Sequence, residues 1–139
     1  MNAANFNKII AVDFDGTLCT DKFPAIGAPN EKVIAKLKAE QAKGARVILW
    51  TCRKGESLAK AVYWCAARGI VFDAINENLK STVDFYGGDT RKIYADEYWD
   101  DRAVFPFFSD GEDDPIALKK YINSLKKLLQ EATGVIILD

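Results

Sequence analysis

Histidine is missing altogether from this 139-residue chain. That absence removes Ser-His-Asp and Cys-His nucleophile pairs, HExxH zinc sites and every imidazole general base. Cysteine is scarce as well. Cys19, Cys52 and Cys65 are odd in number and form no CxxC pair, which fits reduced thiols in a cytoplasmic protein better than a disulfide framework. No run of about 18 apolar residues occurs, so no segment reads as membrane-spanning. The opening residues Met1 to Asn5 lack the basic and apolar stretches of a signal peptide. Positive charge is not in excess either: 19 Lys and Arg stand against 20 Asp and Glu. That balance offers no footprint for nucleic acid or an anionic membrane and argues against both as partners. Internal repeats, linkers and low-complexity segments are also absent. Catalysis, if present, must run on carboxylates, Lys, Thr, thiols and a metal.

The chain can nevertheless bury a proper core, since 49% of it is hydrophobic, and its length suits one domain spanning residues 1–139. Lys8 to Asp13 and Ala45 to Trp50 read as buried strands, short apolar runs bounded by turn signals. Pro24, Gly27 and Pro29 break the stretch after the first strand into a loop. Asn30 is the expected N-cap of a helix that Gly44 stops. A second helix is expected over Glu56 to Arg68, with Leu58, Val62 and Cys65, or else Tyr63 and Ala66, facing inward. Ile70 to Ile75 reads as a third strand, Gly87-Gly88 as part of a loop, and a fourth strand lies within Lys92 to Asp101. Asp114-Pro115 opens a helix to about Ala132, and Val135 to Leu138 could add a last strand. Trp64, Trp99 and the Phe105 to Phe108 run are simplest as core. Strand, helix, strand, helix, strand is the pattern of right-handed βαβ units on a parallel sheet, an α/β fold.

In such sheets, sites lie beyond the carboxyl ends of the strands. Three polar clusters fall at those ends: Asp13 with Asp15, Thr51-Cys52-Arg53, and Asp100 with Asp101. Alternation along a strand puts Asp13 and Asp15 on one side and Phe14 on the other. Converging carboxylates are poorly tolerated without a cation, and a hard divalent metal such as Mg²⁺ prefers oxygen ligands. For a phosphate monoester, Mg²⁺ between Asp13 and the Asp100/Asp101 pair would supply positive charge, while the Asp13 carboxylate attacks phosphorus. Asp15 can protonate the leaving oxygen, given a raised pKa. Thr51 and Lys92 can neutralise phosphoryl oxygens. Continuous strand from Lys92 to Asp100 would separate their Cα atoms by roughly 26 Å. The chain must therefore reverse near Ala95-Asp96 for both to share a site, and Lys80 is the reserve cation.

The order Asp13-x-Asp15-Gly16-Thr17-Leu18, Leu49-Trp50-Thr51-Cys52-Arg53, then Arg91-Lys92 through Asp100-Asp101-Arg102 resembles the haloacid dehalogenase-like (HAD) superfamily, in particular its small capless phosphatases. The likeness covers about residues 7–103. It implies a three-layer Rossmann-like domain with a mainly parallel sheet, and Mg²⁺-dependent phosphoryl transfer through an aspartyl phosphate. It also implies Asp13 as nucleophile and Asp15 as acid/base, with the Asp15 carbonyl on the metal. Phosphate binding would fall to Thr51, Lys92 and the adjoining Cys52 and Gly16, and metal binding to Asp100 or Asp101, either of them direct. Arg53, Asn76 and Asn78 are candidates for substrate contact. The stretches Leu18–Thr51 and Thr51–Lys92 are each consumed by a helix and a strand or loop, which leaves no room for a cap domain. The site is then open or covered by a neighbouring subunit. The substrate is a phosphorylated molecule of unassigned type: a nucleotide, a sugar phosphate or something larger. Two rival readings stand beside the phosphatase. One is a receiver-type phospho-acceptor domain, against which Asp15 argues; the other is a catalytically silent binding module on the same fold.

Overall fold

The computed structural model describes residues 7–106 and 115–135. They belong to two compact units that divide between Asp101 and Arg102. In chain order the first unit holds β1 (Ile9–Val12), β2 (Cys19–Lys22), β3 (Ala25–Pro29), α1 (Glu31–Ala42), β4 (Arg46–Leu49), α2 (Gly55–Ala66), β5 (Ala74–Ile75), α3 (Lys80–Tyr86) and β6 (Glu97–Trp99). The second holds α4 (Pro115–Thr133).

Four strands form a parallel sheet in the order β5-β4-β1-β6. Its inner strands read Ile-Ile-Ala-Val and Arg-Val-Ile-Leu because both faces are covered. Ile10, Val12, Val47 and Leu49 face one side and pack with Ile34 and Leu37 of α1 and Ala61 and Cys65 of α2. Ala11 and Ile48 face the other side and pack with Leu79, Ile93 and Ala95. The result is a small three-layer α/β domain of Rossmann-like form. Within α2, Leu58, Val62 and Cys65 turn inward, and Tyr63 is exposed. Trp64 and Trp99 pack on the core, whereas Phe105 is exposed; residues 107 and 108 lie outside the described residues.

Several elements differ from the sequence reading. The expected loop after β1 is an antiparallel hairpin of β2 and β3, with Asp21 opposite Ile26 and Lys22 opposite Ala25. Gly27 belongs to the strand: a Cβ there would collide with the backbone and hydroxyl of Thr20, so the hairpin closes only around glycine. Asn30 does precede α1, but its side chain makes no cap and instead donates to the Thr17 carbonyl at 3.2 Å. The third strand shrinks to Ala74–Ile75, because the Asp73 carboxylate takes the Val47 N–H at 2.7 Å where a strand backbone would. The short helix α3 occupies a stretch read as loop; its Ser81, Thr82 and Val83 carry weak helical signals.

Within its own unit, α4 carries Leu118, Ile122, Leu125 and Leu129 at helical spacing, all exposed. The suggested strand beyond Val135 lies outside the described residues. Among the described residues no helix is long and apolar enough to cross a membrane.

Candidate functional site

The chain runs from β1 outward through β4 to β5, then returns to place β6 on the other flank of β1. That reversal is the topological switch point of the sheet, where the carboxyl ends of two neighbouring strands open a crevice. Asp13 follows β1, and Asp100 with Asp101 follow β6. The Asp13 N–H donates to the Trp99 carbonyl at 2.9 Å, which carries the pairing one step past the strand ends. One carboxylate oxygen from each of Asp13, Asp100 and Asp101 lies within 4.8 Å of the others.

Burial first, and then the charges of Asp100 and Asp101, hold the Asp13 carboxyl up at about 6, against the lowering effect of a hydrogen bond from Thr17. Half-buried acid beside two exposed acids is an arrangement that a cation relieves. Three carboxylates form an all-oxygen donor set, which suits a hard divalent ion and leaves positions for water.

Thr17, which reads in sequence as a turn residue, clasps this cluster. Its buried hydroxyl donates to Asp13 Oδ2 at 3.1 Å and accepts the Asp101 N–H at 3.1 Å. One hydroxyl thereby joins the two strand ends. The Asp-x-Asp-Gly-Thr spacing was its only signal. Thr17→Val keeps the shape and deletes both bonds. We expect it to cost about 1–2 kcal/mol of stability, read by urea denaturation; an unchanged midpoint would refute the clasp.

Gly16 sits at φ +91° directly against Asp101; a Cβ would lie 2.7 Å from Asp101 Cγ. Glycine is needed here on both counts. An open depression of about 330 Å³ adjoins the cluster, lined in part by Gly16, Thr17, Asn30, Lys36 and Trp99. A groove of about 470 Å³ lies instead at the amino-terminal ends of the strands, beside Ile9 and Arg46. Its charged groups are engaged structurally: Lys8 with Glu97 and Glu40, and Arg46 with Asp73.

Asp15 is not part of the acidic trio. β1 ends at Val12, so strand alternation no longer governs residues 13 to 15, and the two carboxylates part company. Phe14 between them is fully buried, edge-on to Trp64. Asp15 instead receives both arms of Arg53, Nε to Oδ2 at 2.8 Å and Nη2 to Oδ1 at 2.7 Å. The expectation that both aspartate side chains grip one cation is thus corrected. Arg53, a candidate for substrate contact, is 2% exposed and committed to Asp15 and to main-chain carbonyls.

The Thr51 loop lies at the end of β4, beside β1. Asn76 pins it, accepting the Thr51 N–H at 2.8 Å and donating to the Thr51 carbonyl at 2.9 Å. Thr51 Oγ1 accepts the Arg53 N–H at 3.1 Å, which leaves the hydroxyl proton to donate outward. Cys52 between them is exposed. Asn78 is buried and ties Asp89, Thr90 and the Tyr94 N–H together. Asn78 is therefore scaffold, a correction to its reading as a substrate contact, while Asn76 stays exposed as it braces the Thr51 loop: loops with few ladder bonds need side chains to satisfy their backbone.

The chain bends at Asp96, whose N–H donates to the Ile9 carbonyl, and the strand starts only at Glu97. Lys92, however, is exposed with its ammonium 5.8 Å from the Tyr98 ring centre. Lys80, the reserve, is exposed and paired with Asp84 at 2.8 Å along α3. The structure brings neither lysine into the acidic trio.

No family model matches the chain, and no curated protein matches it. A solved structure does: one described as a conserved protein coded by a locus from Bacteroides thetaiotaomicron, with a TM-score of 0.64. The two sequences are 36% identical, and the match covers 87% of this chain and 93% of that one. At that identity over nearly the whole of both chains, this protein belongs to the same family as that conserved Bacteroides protein.

Proposed function

We propose that this protein is a Mg²⁺-dependent phosphomonoester hydrolase of HAD type. The observation that carries the reading is the acidic trio of Asp13, Asp100 and Asp101 at the sheet's switch point. Support also comes from the order of sequence segments that resemble that superfamily. Asp13, Asp100 and Asp101 would hold the cation, which when bound neutralises charge on the phosphoryl oxygens and on the attacking carboxylate.

The protein's own groups then divide the work. An Asp13 carboxylate oxygen forms a bond to phosphorus as the ester P–O bond breaks, leaving an aspartyl phosphate and a free alcohol. Asp15 supplies the proton to the departing oxygen. Water next attacks phosphorus, its proton passes back to Asp15, and Asp13 is released. Arg53 takes one lone pair from each Asp15 oxygen, so each retains another for this exchange. The Thr51 hydroxyl donates to a phosphoryl oxygen. The free thiols, Cys52 exposed among them, fit a reducing cytoplasmic setting.

A panel of nucleotides, sugar phosphates and phosphorylated polymer ends, assayed for phosphate release with Mg²⁺ and with EDTA, tests the reading. Release above an Asp13→Asn blank, silenced by EDTA and restored by Mg²⁺, is the expected result. Persistent phosphoprotein without release would point to a phospho-acceptor domain instead, and no reaction with any substrate would end the hydrolase assignment.

A further inference from the structure

We propose that Arg53 is a positioning residue that staples the β2–β3 hairpin onto Asp15 and so orients the Asp15 carboxylate. A guanidinium carries five N–H donors in one plane, and here each meets an acceptor. Nε and one arm of Nη2 serve Asp15, while the other arm of Nη2 reaches the Ala25 carbonyl at 2.9 Å. Nη1 reaches the Pro24 carbonyl at 3.1 Å and the Ser57 carbonyl in α2 at 3.2 Å. Two rings also lie against the guanidinium, Phe14 of the core with its centre 5.0 Å away and Phe23 of the hairpin turn at 5.1 Å.

A buried charge is tolerated only when every donor is matched, and this one is. The matching joins four places: the loop after β1, the hairpin turn, the Thr51 loop and the start of α2. The fork fixes both Asp15 oxygens, so the direction of their remaining lone pairs depends on where the hairpin sits. Lysine could keep the charge but not the plane, the fork or the ring contacts. The catalytic arm of this inference rests on the hydrolase reading; the stapling of the hairpin does not.

Arg53→Lys and Arg53→Ala test it. In Arg53→Lys, kcat should fall by about 10²-fold with KM little changed, since misplacing a reacting group by an ångström costs that much. Amide hydrogen exchange across residues 19–29 should quicken while β1 and β4 keep their protection. In Arg53→Ala, added guanidinium should restore turnover where urea at the same concentration does not. Wild-type kcat in Arg53→Lys, or lost activity that guanidinium fails to restore in a folded Arg53→Ala, would overturn the positioning role. Unchanged exchange in the hairpin would overturn the staple. Should Arg53→Ala not fold, the lysine variant decides both points. Should the unaltered protein hydrolyse nothing, the hydrolase reading fails and the exchange measurement still decides the staple.

Discussion

Asp13→Asn should abolish phosphate release, by at least about 10³-fold in kcat, while leaving the protein folded. The amide cannot form the acyl phosphate, and the trio loses one of its three carboxylates. The effect on stability should run the other way. Burial and the neighbouring acids hold Asp13 at about 6 against an ordinary 3.8. The folded protein therefore binds this proton more tightly than the unfolded chain does. Stability from this group is fully present below the ordinary value and is lost as pH rises through about 6. Asparagine carries no such charge. Without metal at pH 7.5, the variant should melt no lower than the unaltered protein, and the gap should close on acidification below about pH 4. With Mg²⁺ the order should reverse, because the unaltered protein, with all three carboxylates, should gain more stability from the ion than the variant does. Proton and cation compete for Asp13, so that gain should fade as pH drops below 6. Melting curves of both proteins across pH 4–8, with and without Mg²⁺, read all of this. A variant destabilised without metal at pH 7.5, or stabilised by Mg²⁺ as much as the unaltered protein, would contradict the assignment.

Gly16→Ala should be nearly as damaging, through backbone and packing together. Alanine at φ +91° costs about 1–2 kcal/mol on conformational grounds. Its methyl would also meet the Asp101 carboxylate, with Cγ at 2.7 Å, and drive that side chain out of the trio. We expect a loss of about 2 kcal/mol or more in denaturant unfolding, and metal affinity lower by about tenfold or more. Titrating Mg²⁺ by its effect on melting temperature separates the two. A variant that loses stability yet keeps full Mg²⁺ affinity would show that Asp101 is not a ligand, and would leave Asp100 to serve with Asp13.

The strands were legible because a parallel strand covered on both faces must be apolar throughout, and Ile9 to Val12 and Val47 to Leu49 are. The acidic positions were legible because the same runs end abruptly in charge. The hairpin was not. Its Pro24 and Gly27 read as breakers, while the close approach to Thr20 that demands glycine exists only once the strands have paired. α3 was hidden by weak helical residues. The role of Asn78 was misread because polar side chains near a strand end look alike whether they meet a ligand or a neighbouring backbone.

From sequence alone came the α/β order, the core runs of β1 and β4, and the strand-end carboxylates as candidates for chemistry beside Thr51 and Lys92. Period and hydrophobicity are local properties, so they survive without coordinates. Tertiary structure decided which carboxylates meet. Asp13 joined Asp100 and Asp101 because β6 returns beside β1, and Asp15 turned to Arg53 because the strand ladder had already ended. Pairing between residues far apart in the chain depends on strand order and on where backbone bonding stops, and neither is written in any single segment.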